Sequence, residues 1–352
     1  MAAQRELRAW LGSGPAHHTF LAASGDLVLR LVPTAPTVDE AAEQAAERLH
    51  ATLSSGGPAI PGPRYPPEEE GELALVVRDP VGRRLRDARG PLPQPVARQL
   101  AASVLDAVAG LHAQGSFHGA LSPERLLLGR DGCDLRVAEA GLAAFAEDAL
   151  GQPLRTLTPG VSEFWTSPAL MPPELVRGLP LSASSDVFLV AALTWRWLTS
   201  RDAYRAPQSL AVLSRLGRGE RPSMVTLDLG LPLALAQALD AALSPDPAAR
   251  PRPDELRALL APEEAAPIDA AFEPSAGPWS ATCTARAPED APGAPGTAWE
   301  TARQARLNRA ALVLQVGAAP RRPPSSGRRF LMAAAATLLG VALVGLAMLL
   351  SR

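Results

Sequence analysis

The sequence contains no lysine, so all 34 of its basic residues are arginine. It has a single asparagine, Asn308, near its C-terminal end. These two absences exclude any site before residue 308 that needs a lysine ammonium group or an asparagine amide. Arginine does not replace lysine where a compact positive charge is required, because the guanidinium group is planar and larger. Chemistry that depends on those two side chains is therefore excluded from most of the chain.

The chain also has few cysteines and a small net charge. The two cysteines, Cys133 and Cys283, show neither metal-ligand spacing nor the paired pattern of a disulfide scaffold, so they fit a reducing cytoplasm. The net charge of −2 gives no basis for nucleic-acid binding, which usually requires a basic stripe. The N-terminus has no apolar core of signal-peptide length, so we do not expect export of the main domain.

Composition divides the 352 residues, of which 47% are hydrophobic, into three regions. Residues 5–261 alternate apolar-periodic segments with turn signals, as a folded domain with a sizeable core does. Residues 262–329 are rich in proline, alanine and glycine and are predicted to form a linker. Within the linker, residues 298–316 are either a short amphipathic docking helix or a transient linker helix, and the sequence leaves both open.

The third region is an apolar run that begins at Phe330 and ends at Leu350 without a charged residue. A helix of this length spans roughly 30 Å, the thickness of a bilayer core, so the run is predicted to be a transmembrane helix. Arginines at 321, 322, 328 and 329 precede the run, and only Arg352 follows it. The positive-inside rule then predicts a single-pass anchor in the cell membrane with the N-terminal domain in the cytoplasm and no external sensor domain.

The most informative pattern lies in the middle of the chain, where residues 118–125 read HGALSPER and residues 139–141 read EAG. These residues resemble the H-R-D-L-x-x-x-N catalytic loop and the D-F-G motif of protein kinases. In this resemblance Ala120 has the place of the catalytic base, Arg125 that of the metal-binding asparagine, and Glu139 that of the metal-binding aspartate. The family holds ATP phosphates with a lysine and magnesium with that asparagine. The resemblance therefore implies the scaffold without most of its phosphate-handling groups.

The start of the chain resembles the nucleotide-binding part of the same family. Gly12 and Gly14 fall where the Gly-rich loop G-x-G-x-x-G lies, with His17 in place of the third glycine. A side chain at His17 would hinder the close approach of backbone to phosphate that glycine permits. The strand predicted at residues 27–32 resembles V-A-I-K, with Arg30 in the lysine position.

A capping box at residues 37–40 predicts the start of a helix that resembles the αC helix of kinases. The helix glutamate that pairs with the strand lysine in the family is here Glu43 or Glu47, and the spacing favours Glu47. Arg30 and Glu47 then either form an ion pair or remain two solvated charges.

The larger half of the domain carries further matches in the expected order. Apolar residues at helical spacing predict a helix at 93–114, and residues 185–198 resemble the central αF helix of the family. Residues 166–174, TSPALMPPE, resemble the end of the activation segment, with Glu174 as the glutamate of A-P-E. The resemblance implies that Arg250 pairs with Glu174, as the corresponding residues do in the family.

Taken together, these matches imply an α+β, two-lobed protein-kinase-like fold, with a small β-rich lobe at about 5–80 and a larger helical lobe at about 81–261. The favoured function is a membrane-anchored pseudokinase, a catalytically inactive domain that acts as a scaffold or allosteric regulator in cytoplasmic signalling. Three alternatives stay open: a divergent Ser/Thr protein kinase with relocated catalytic groups, a nucleotide sensor that binds ATP without hydrolysing it, and a superficial resemblance.

The resemblance implies no catalytic residue and no metal site. It implies a degenerate nucleotide site formed by Gly12, Gly14, Arg30, Glu47, Arg125 and Glu139. No cofactor is required, although weak ATP binding, with or without magnesium, stays open. The implied partners are signalling kinases or cell-envelope proteins. Thr156, Thr158 and Ser162 fall in the expected activation segment, where they either accept phosphate from a partner kinase or are ordinary loop hydroxyls.

Overall fold

The computed structural model describes residues 7–24, 26–31, 40–65, 68–69, 72–78, 83–85, 91–128, 135–158, 160–165 and 167–262. The chain divides into two units, Met1–Arg303 and Gln304–Arg352, and every described residue belongs to the first. The predicted transmembrane helix at 330–350, the predicted helix at 298–316 and nearly all of the predicted linker lie outside the described residues. None of the helices within the described part is long and apolar enough to cross a membrane.

The N-terminal part of the unit is an antiparallel sheet with one helix. Its strands are β1 (Leu7–Gly14), β2 (His17–Ala22), β3 (Asp26–Leu31), β4 (Pro63–Tyr65), β5 (Glu68–Glu69) and β6 (Glu72–Arg78), and its helix is α1 (Glu40–Ser55). The strand order is β1-β2-β3-β6-β4, and β5 pairs with β6. The first three strands are neighbours both in the chain and in the sheet, as short connections between antiparallel strands require.

The two faces of this sheet bury different clusters of side chains, because successive residues of a strand point to opposite faces. Leu29 and Leu31 of β3 belong to the main hydrophobic core, together with Leu49 of α1. Val28 belongs instead to a second, smaller cluster with Phe20 of β2. The helix α1 therefore covers the face that carries Leu29, and the alternation puts the side chain of Arg30 on the other face, with Val28.

The C-terminal part of the unit is mainly helical. Its helices are α2 (Gln94–Ala113), α3 (Leu142–Leu150), α4 (Val161–Phe164), α5 (Pro173–Arg177), α6 (Ala183–Thr199), α7 (Ser209–Arg218), α8 (Leu233–Ala242) and α9 (Pro253–Leu260). A three-stranded sheet accompanies them, in the order β7 (Arg83–Arg84), β8 (Leu126–Leu128) and β9 (Leu135–Val137). A small sheet-rich part followed by a helical part fits a protein-kinase-like fold.

Helices α2 and α6 form the centre of the helical part. The α2 side chains that the helical spacing predicts to face inward are all buried: Val96, Leu100, Val104, Val108 and Leu111. Helix α6 is buried along most of its length, as expected for a helix without a solvent-facing polar stripe. It begins after Ser182, whose backbone N–H donates to the side-chain oxygen of Ser185 at 3.0 Å. These two helices hold the segments that carry the candidate site.

A buried ion pair joins α5 to the loop before α9. The two terminal guanidinium nitrogens of Arg250 donate to the two carboxylate oxygens of Glu174, over 2.7 and 2.8 Å. Both side chains are almost fully excluded from solvent, with 0% and 1% exposure. The Ser185 hydroxyl also donates to Glu174, at 2.8 Å. The pairing of Arg250 with Glu174 that the sequence predicts is confirmed.

The end of α9 is fastened to α2 by one arginine. The guanidinium group of Arg98, on α2, donates to the backbone carbonyl oxygens of Leu259, Leu260 and Ala261, over 3.3, 3.2 and 2.8 Å. These are carbonyls of the last helical turn, which have no partner within the helix. Arg98 therefore caps α9 at the last described residues of the chain.

Candidate functional site

The carboxylate of Asp186 fixes the backbone of the residues that resemble a kinase catalytic loop. The backbone N–H groups of His118 and Gly119 donate to its two oxygens over 2.8 and 2.7 Å. His112 Nε2 lies 2.9 Å from the same carboxylate. Asp186 is fully buried on α6, so the rigid core helix fixes the path of the loop. The scaffold of the site is therefore well supported.

His118 takes part in this support and is neutral. Its Nε2 lies 3.0 Å from the carbonyl oxygen of Ala138, and its Nδ1 lies 3.2 Å from the backbone nitrogen of Ala120. Since a carbonyl only accepts and a backbone N–H only donates, the proton must be on Nε2 and Nδ1 must accept. Burial lowers the pKa of His118, which agrees with this uncharged form.

Ala120, which the sequence resemblance puts in the place of the catalytic base, presents a buried methyl group and no side-chain proton acceptor. Its backbone is used instead: its N–H donates to His118, and its carbonyl oxygen accepts a bond of 3.0 Å from Arg125. Trp165 Nε1 donates to the neighbouring carbonyl of Gly119 over 3.2 Å. The polar groups described here serve to hold the loop.

Arg125 is the central residue of the site. Its Nε donates to the carboxylate of Glu139 at 2.5 Å, and its other two nitrogens donate to the carbonyls of Ala120 at 3.0 Å and Phe164 at 2.7 Å. The guanidinium carbon lies 4.2 Å from the centre of the Phe164 ring, in the geometry of a cation–π contact. Only 12% of the Arg125 side chain is exposed. One cation therefore binds three segments of the chain.

Glu139 faces Arg125 from the residue pair that follows β9. Its backbone has a φ of +60°, a left-handed conformation that is uncommon for a residue with a side chain. Burial by itself would raise the pKa of Glu139, but the charge and the hydrogen bond of Arg125 outweigh burial and hold that pKa below its ordinary value. Glu139 is consequently a carboxylate already paired with an internal cation.

His17 closes the site from the sheet side. It is 1% exposed, and its ring meets the ring of Phe164 edge-on, with 5.3 Å between centroids. Burial lowers the pKa of His17 to about 4, against the opposing effect of Glu139. Among the described residues its Nδ1 has no hydrogen-bond partner. The third position of the Gly-rich pattern thus holds a neutral imidazole packed on an aromatic ring.

The turn between β1 and β2 lies directly on the segment that leads into α4. A methyl group placed on Gly160, whose φ is +83°, would come within 2.6 Å of the carbonyl oxygen of Gly14. Such a distance is well inside van der Waals contact, so the two backbones touch. In kinases the Gly-rich loop, which the sequence of this turn resembles, covers the ATP phosphates. The turn described here contacts the backbone at Gly160.

The structure brings together some predicted site residues and separates others. Arg125 and Glu139 are in contact. Gly14 lies in the same region, because it is close to His17 and to Gly160. Gly12 pairs with Thr19 inside the sheet. Arg30 and Glu47 do not meet: the guanidinium carbon of Arg30 lies 5.4 Å from the centre of the Phe20 ring, on the face opposite α1, and Glu47 is exposed on α1. The sequence left open an Arg30–Glu47 ion pair or two separate charges, and this placement favours separate charges.

The helix α3, directly after Glu139, packs against α1. Leu49 of α1 lies within 3.0 Å of where a side chain on Gly141 would begin, and Arg48 forms an exposed ion pair with Asp148 at 2.8 Å. The α1 residue that pairs with this segment is therefore Arg48, which directly follows Glu47 in the chain. The sequence resemblance did not predict this helix.

The three hydroxyl residues considered as phosphate acceptors lie on the surface between α3 and α4 or in α4. Thr156 and Thr158 are half-buried, and Ser162 is exposed. The Thr158 hydroxyl accepts a hydrogen bond of 3.0 Å from the backbone of Arg155. Leu157, between the two threonines, is 92% exposed, so this short stretch is accessible to another protein.

Two residues of the site, Phe164 and Trp165, were not anticipated. Their rings pack edge-on with 4.8 Å between centroids, and both contact groups that hold the catalytic-loop region. A signal for them exists in the sequence: aromatic residues make up only 4% of the chain, and here two are adjacent in an expected loop. Within the described residues no group of three or more histidine, cysteine, aspartate or glutamate side chains is placed to hold a metal ion.

Comparison with known proteins gives the family context. No protein-family model matches the chain. It is 30% identical over 199 residues to the serine/threonine-protein kinase PkaA of Streptomyces coelicolor, covering 53% of this chain and 34% of that protein. It is 28% identical over 262 residues to PkaB of the same organism, covering 71% and 58%. A probable serine/threonine-protein kinase PknB of Lactococcus lactis is 23% identical over 183 residues, covering 51% and 28%.

These relatives are bacterial Ser/Thr protein kinases at modest identity, and they support a protein-kinase-like domain in this chain. The chain spans 34% of the length of the first relative and 58% of the second.

Proposed function

We propose that this protein is a membrane-anchored pseudokinase, a kinase-like domain without catalytic activity that serves as a scaffold or allosteric regulator in cytoplasmic signalling. The observation that carries the proposal is the Arg125–Glu139 pair at 2.5 Å. In the family, the corresponding asparagine and aspartate bind the two magnesium ions. Here the first is a cation, and the second is already paired with it.

The residues present do not fit magnesium-bound ATP. A magnesium ion at Glu139 would have to displace the guanidinium group of Arg125 or sit beside it against charge repulsion. The turn at Gly14 contacts Gly160, and His17 packs on Phe164. These two contacts take up the region where, in the family, the Gly-rich loop would cover the phosphates. Lysine, which the family uses to hold those phosphates, does not occur in the sequence.

The reacting hydroxyl would also find no base. Removal of a general base reduces a rate by 10²–10⁴-fold, or about 3–5 kcal/mol of activation free energy. Ala120 offers only a methyl group, and the nearby His118 uses both ring nitrogens in hydrogen bonds. Each missing group adds a separate barrier to phosphoryl transfer.

The test is a phosphotransfer assay on the purified full-length chain with labelled ATP, magnesium or manganese and a general protein substrate. An active Ser/Thr kinase assayed in parallel shows that the conditions are sufficient. We expect no transfer to the chain or to the substrate. Transfer that is lost in Glu139→Gln would contradict the proposal, because it would assign a catalytic role to the carboxylate that we regard as structural.

The enzyme alternative, a divergent Ser/Thr protein kinase with residual ATP binding, is favoured by the names of the relatives. It differs from the pseudokinase in its response to nucleotide. A protein that binds ATP becomes more stable by RT ln(1 + [ATP]/Kd), so a thermal-shift series with ATP, with and without magnesium, separates the two. We expect no shift at millimolar nucleotide. A shift without phosphotransfer would favour the nucleotide sensor.

The anchor and the partners are part of the same proposal. The uncharged run from Phe330 to Leu350 supports a membrane span, and the arginines before it support a cytoplasmic domain. Resistance to carbonate extraction, lost when 330–350 is deleted, is the expected result. Cross-linking and pull-down from the native membrane should recover signalling kinases or cell-envelope proteins. Phosphate on Thr156, Thr158 or Ser162 in the recovered protein would identify a kinase that acts on this chain.

A further inference from the structure

We propose that Arg125 is a positioning residue that takes the place of a metal ion, because its guanidinium group holds together three segments that a divalent cation would otherwise have to join. The inference goes beyond the proposed function: it concerns what organises the cleft, whether or not the domain regulates a partner.

The guanidinium nitrogens of Arg125 point to three separate acceptors. The three guanidinium nitrogens of Arg125 each bind a different oxygen: the carbonyl of Ala120, the carboxylate of Glu139 and the carbonyl of Phe164. These oxygens belong to the loop after α2, to the turn after β9 and to the end of α4. Trp165 also joins the third segment to Gly119, and His118 joins the first to Ala138, but the guanidinium group of Arg125 contacts all three segments at once.

The acceptors of Arg125 are all oxygen atoms. One carboxylate and two backbone carbonyls are the kind of oxygen ligands that magnesium and calcium bind in proteins. A guanidinium group can satisfy the same set because it presents five N–H donors in a fixed planar fork. A lysine ammonium group has three donors on one atom and lacks this spread. The acceptor set is thus one that either an arginine or a divalent ion can organise.

Arg125 is largely enclosed by its neighbours. The side chain of Arg125 is 12% exposed, with the Phe164 ring on one face at 4.2 Å. His17, in β2 of the N-terminal sheet, packs on the same ring. A cation that is this well enclosed must be compensated by hydrogen bonds and charge, and Glu139 supplies the charge. If the guanidinium group were removed, the two carbonyl oxygens and the carboxylate of Glu139, whose side chain is 27% exposed, would lose their shared cation.

The test uses Arg125→Gln in the full-length chain, followed by thermal unfolding with sodium, magnesium or calcium chloride at equal ionic strength. We expect the Tm of the variant to fall by roughly 5–10 °C, because it loses charge-assisted hydrogen bonds. Millimolar magnesium or calcium should return several degrees to the variant and nothing to the wild type. Adding Glu139→Gln to the variant should abolish the recovery, because the carboxylate is the charged ligand.

A control is Arg257→Gln. Arg257, in the helical part, donates two bonds of 2.9 Å to the carboxylate of Asp106. Its Tm should fall less, because the pair is exposed, and it should not recover with either ion, because the bonds of Arg257 go to a carboxylate alone. Recovery in both variants would show a general ion effect and overturn the proposal.

The remaining outcomes also decide the question. A folded Arg125→Gln variant whose Tm ignores both ions would refute the proposal. If that variant does not fold, the wild type and Glu139→Gln decide: a wild-type Tm that rises with magnesium through Glu139 would refute it, and one that ignores both ions would support it. Phosphotransfer by the wild type would overturn the proposed function, whereas the Tm results test only the role of Arg125. Failure of one proposal can therefore be distinguished from failure of the other.

Discussion

Replacing Arg250 with methionine removes the cation from the most deeply buried ion pair described here. The change deletes two bonds to Glu174, of 2.7 and 2.8 Å, and two to the carbonyls of Ser244 and Ser184, both of 2.9 Å. The Glu174 carboxylate, 1% exposed, would keep only the Ser185 hydroxyl as a described partner. Breaking a buried pair in this way costs about 3–5 kcal/mol of unfolding free energy.

The control is a pair of the same chemistry on the surface. Arg257 forms a two-point pair with Asp106, both bonds 2.9 Å long, but the side chains are 47% and 54% exposed. Arg257→Met should therefore cost less than about 1 kcal/mol. Urea unfolding followed by circular dichroism measures both variants against the wild type. Equal losses in the two variants would refute the reasoning, because burial would then not decide the strength of the pair.

A second variant separates lost attraction from the penalty of an unpaired charge. In the double variant Glu174→Gln with Arg250→Met no unpaired charge remains in the core, so it should be more stable than Arg250→Met alone. A double variant that is less stable than the single one would contradict the reasoning, because the unpaired carboxylate would then not be the source of the loss.

Three further predictions concern the candidate site. Because the folded pKa of His17, about 4, is below its unfolded value of 6.5, the unfolded chain binds the proton first, and stability should fall by up to about 3 kcal/mol from pH 6.5 towards pH 4. Urea unfolding at pH 7 and 4.5 should show a smaller loss of unfolding free energy in His17→Leu than in the wild type; an equal loss would contradict this. Gly160→Ala should cost more than Gly151→Ala, since both have positive φ but only the first would clash, with Gly14; equal costs in thermal unfolding would contradict the contact. Asp186→Asn should lose about 1.5–3 kcal/mol, because two backbone N–H groups lose a charged acceptor; an unchanged urea midpoint would contradict it.

The sequence was most informative where a motif and a local pattern agreed. The α2 helix follows from apolar residues at helical spacing, and the pairing of Glu174 with Arg250 follows from two motifs of the family resemblance. Both depend on residue types at fixed separations along the chain. That information is present in a single sequence.

The orientation of Arg30 could not be obtained in that way. Residues 27–32 are apolar except for Arg30, so the strand has no polar–apolar alternation to indicate which face is covered. The resemblance to V-A-I-K put Arg30 in the position of the lysine that holds the ATP phosphates, whereas the packing of α1 selects Leu29 and Leu31 for the main core. The choice is made by tertiary packing, which local pattern does not contain.

The contact of His17 with Phe164 was out of reach for a similar reason. His17 lies in β2 and Phe164 in α4, and neither local sequence indicates that the two residues meet. The sequence did show that His17 would obstruct phosphate, and that prediction stays a prediction. What the structure adds is the ring that the imidazole lies against.

The three bonds from Arg98 to the end of α9 bear on how a mechanical load would enter this domain. A pull on the chain beyond residue 262 would act first on the carbonyls that Arg98 holds, and then on α2, which packs along α6 through the core. Tension would thus be transmitted to the centre of the helical part instead of peeling away its last helix. The direction of pulling from a tether, and not only its length, would then determine which part of the domain yields first.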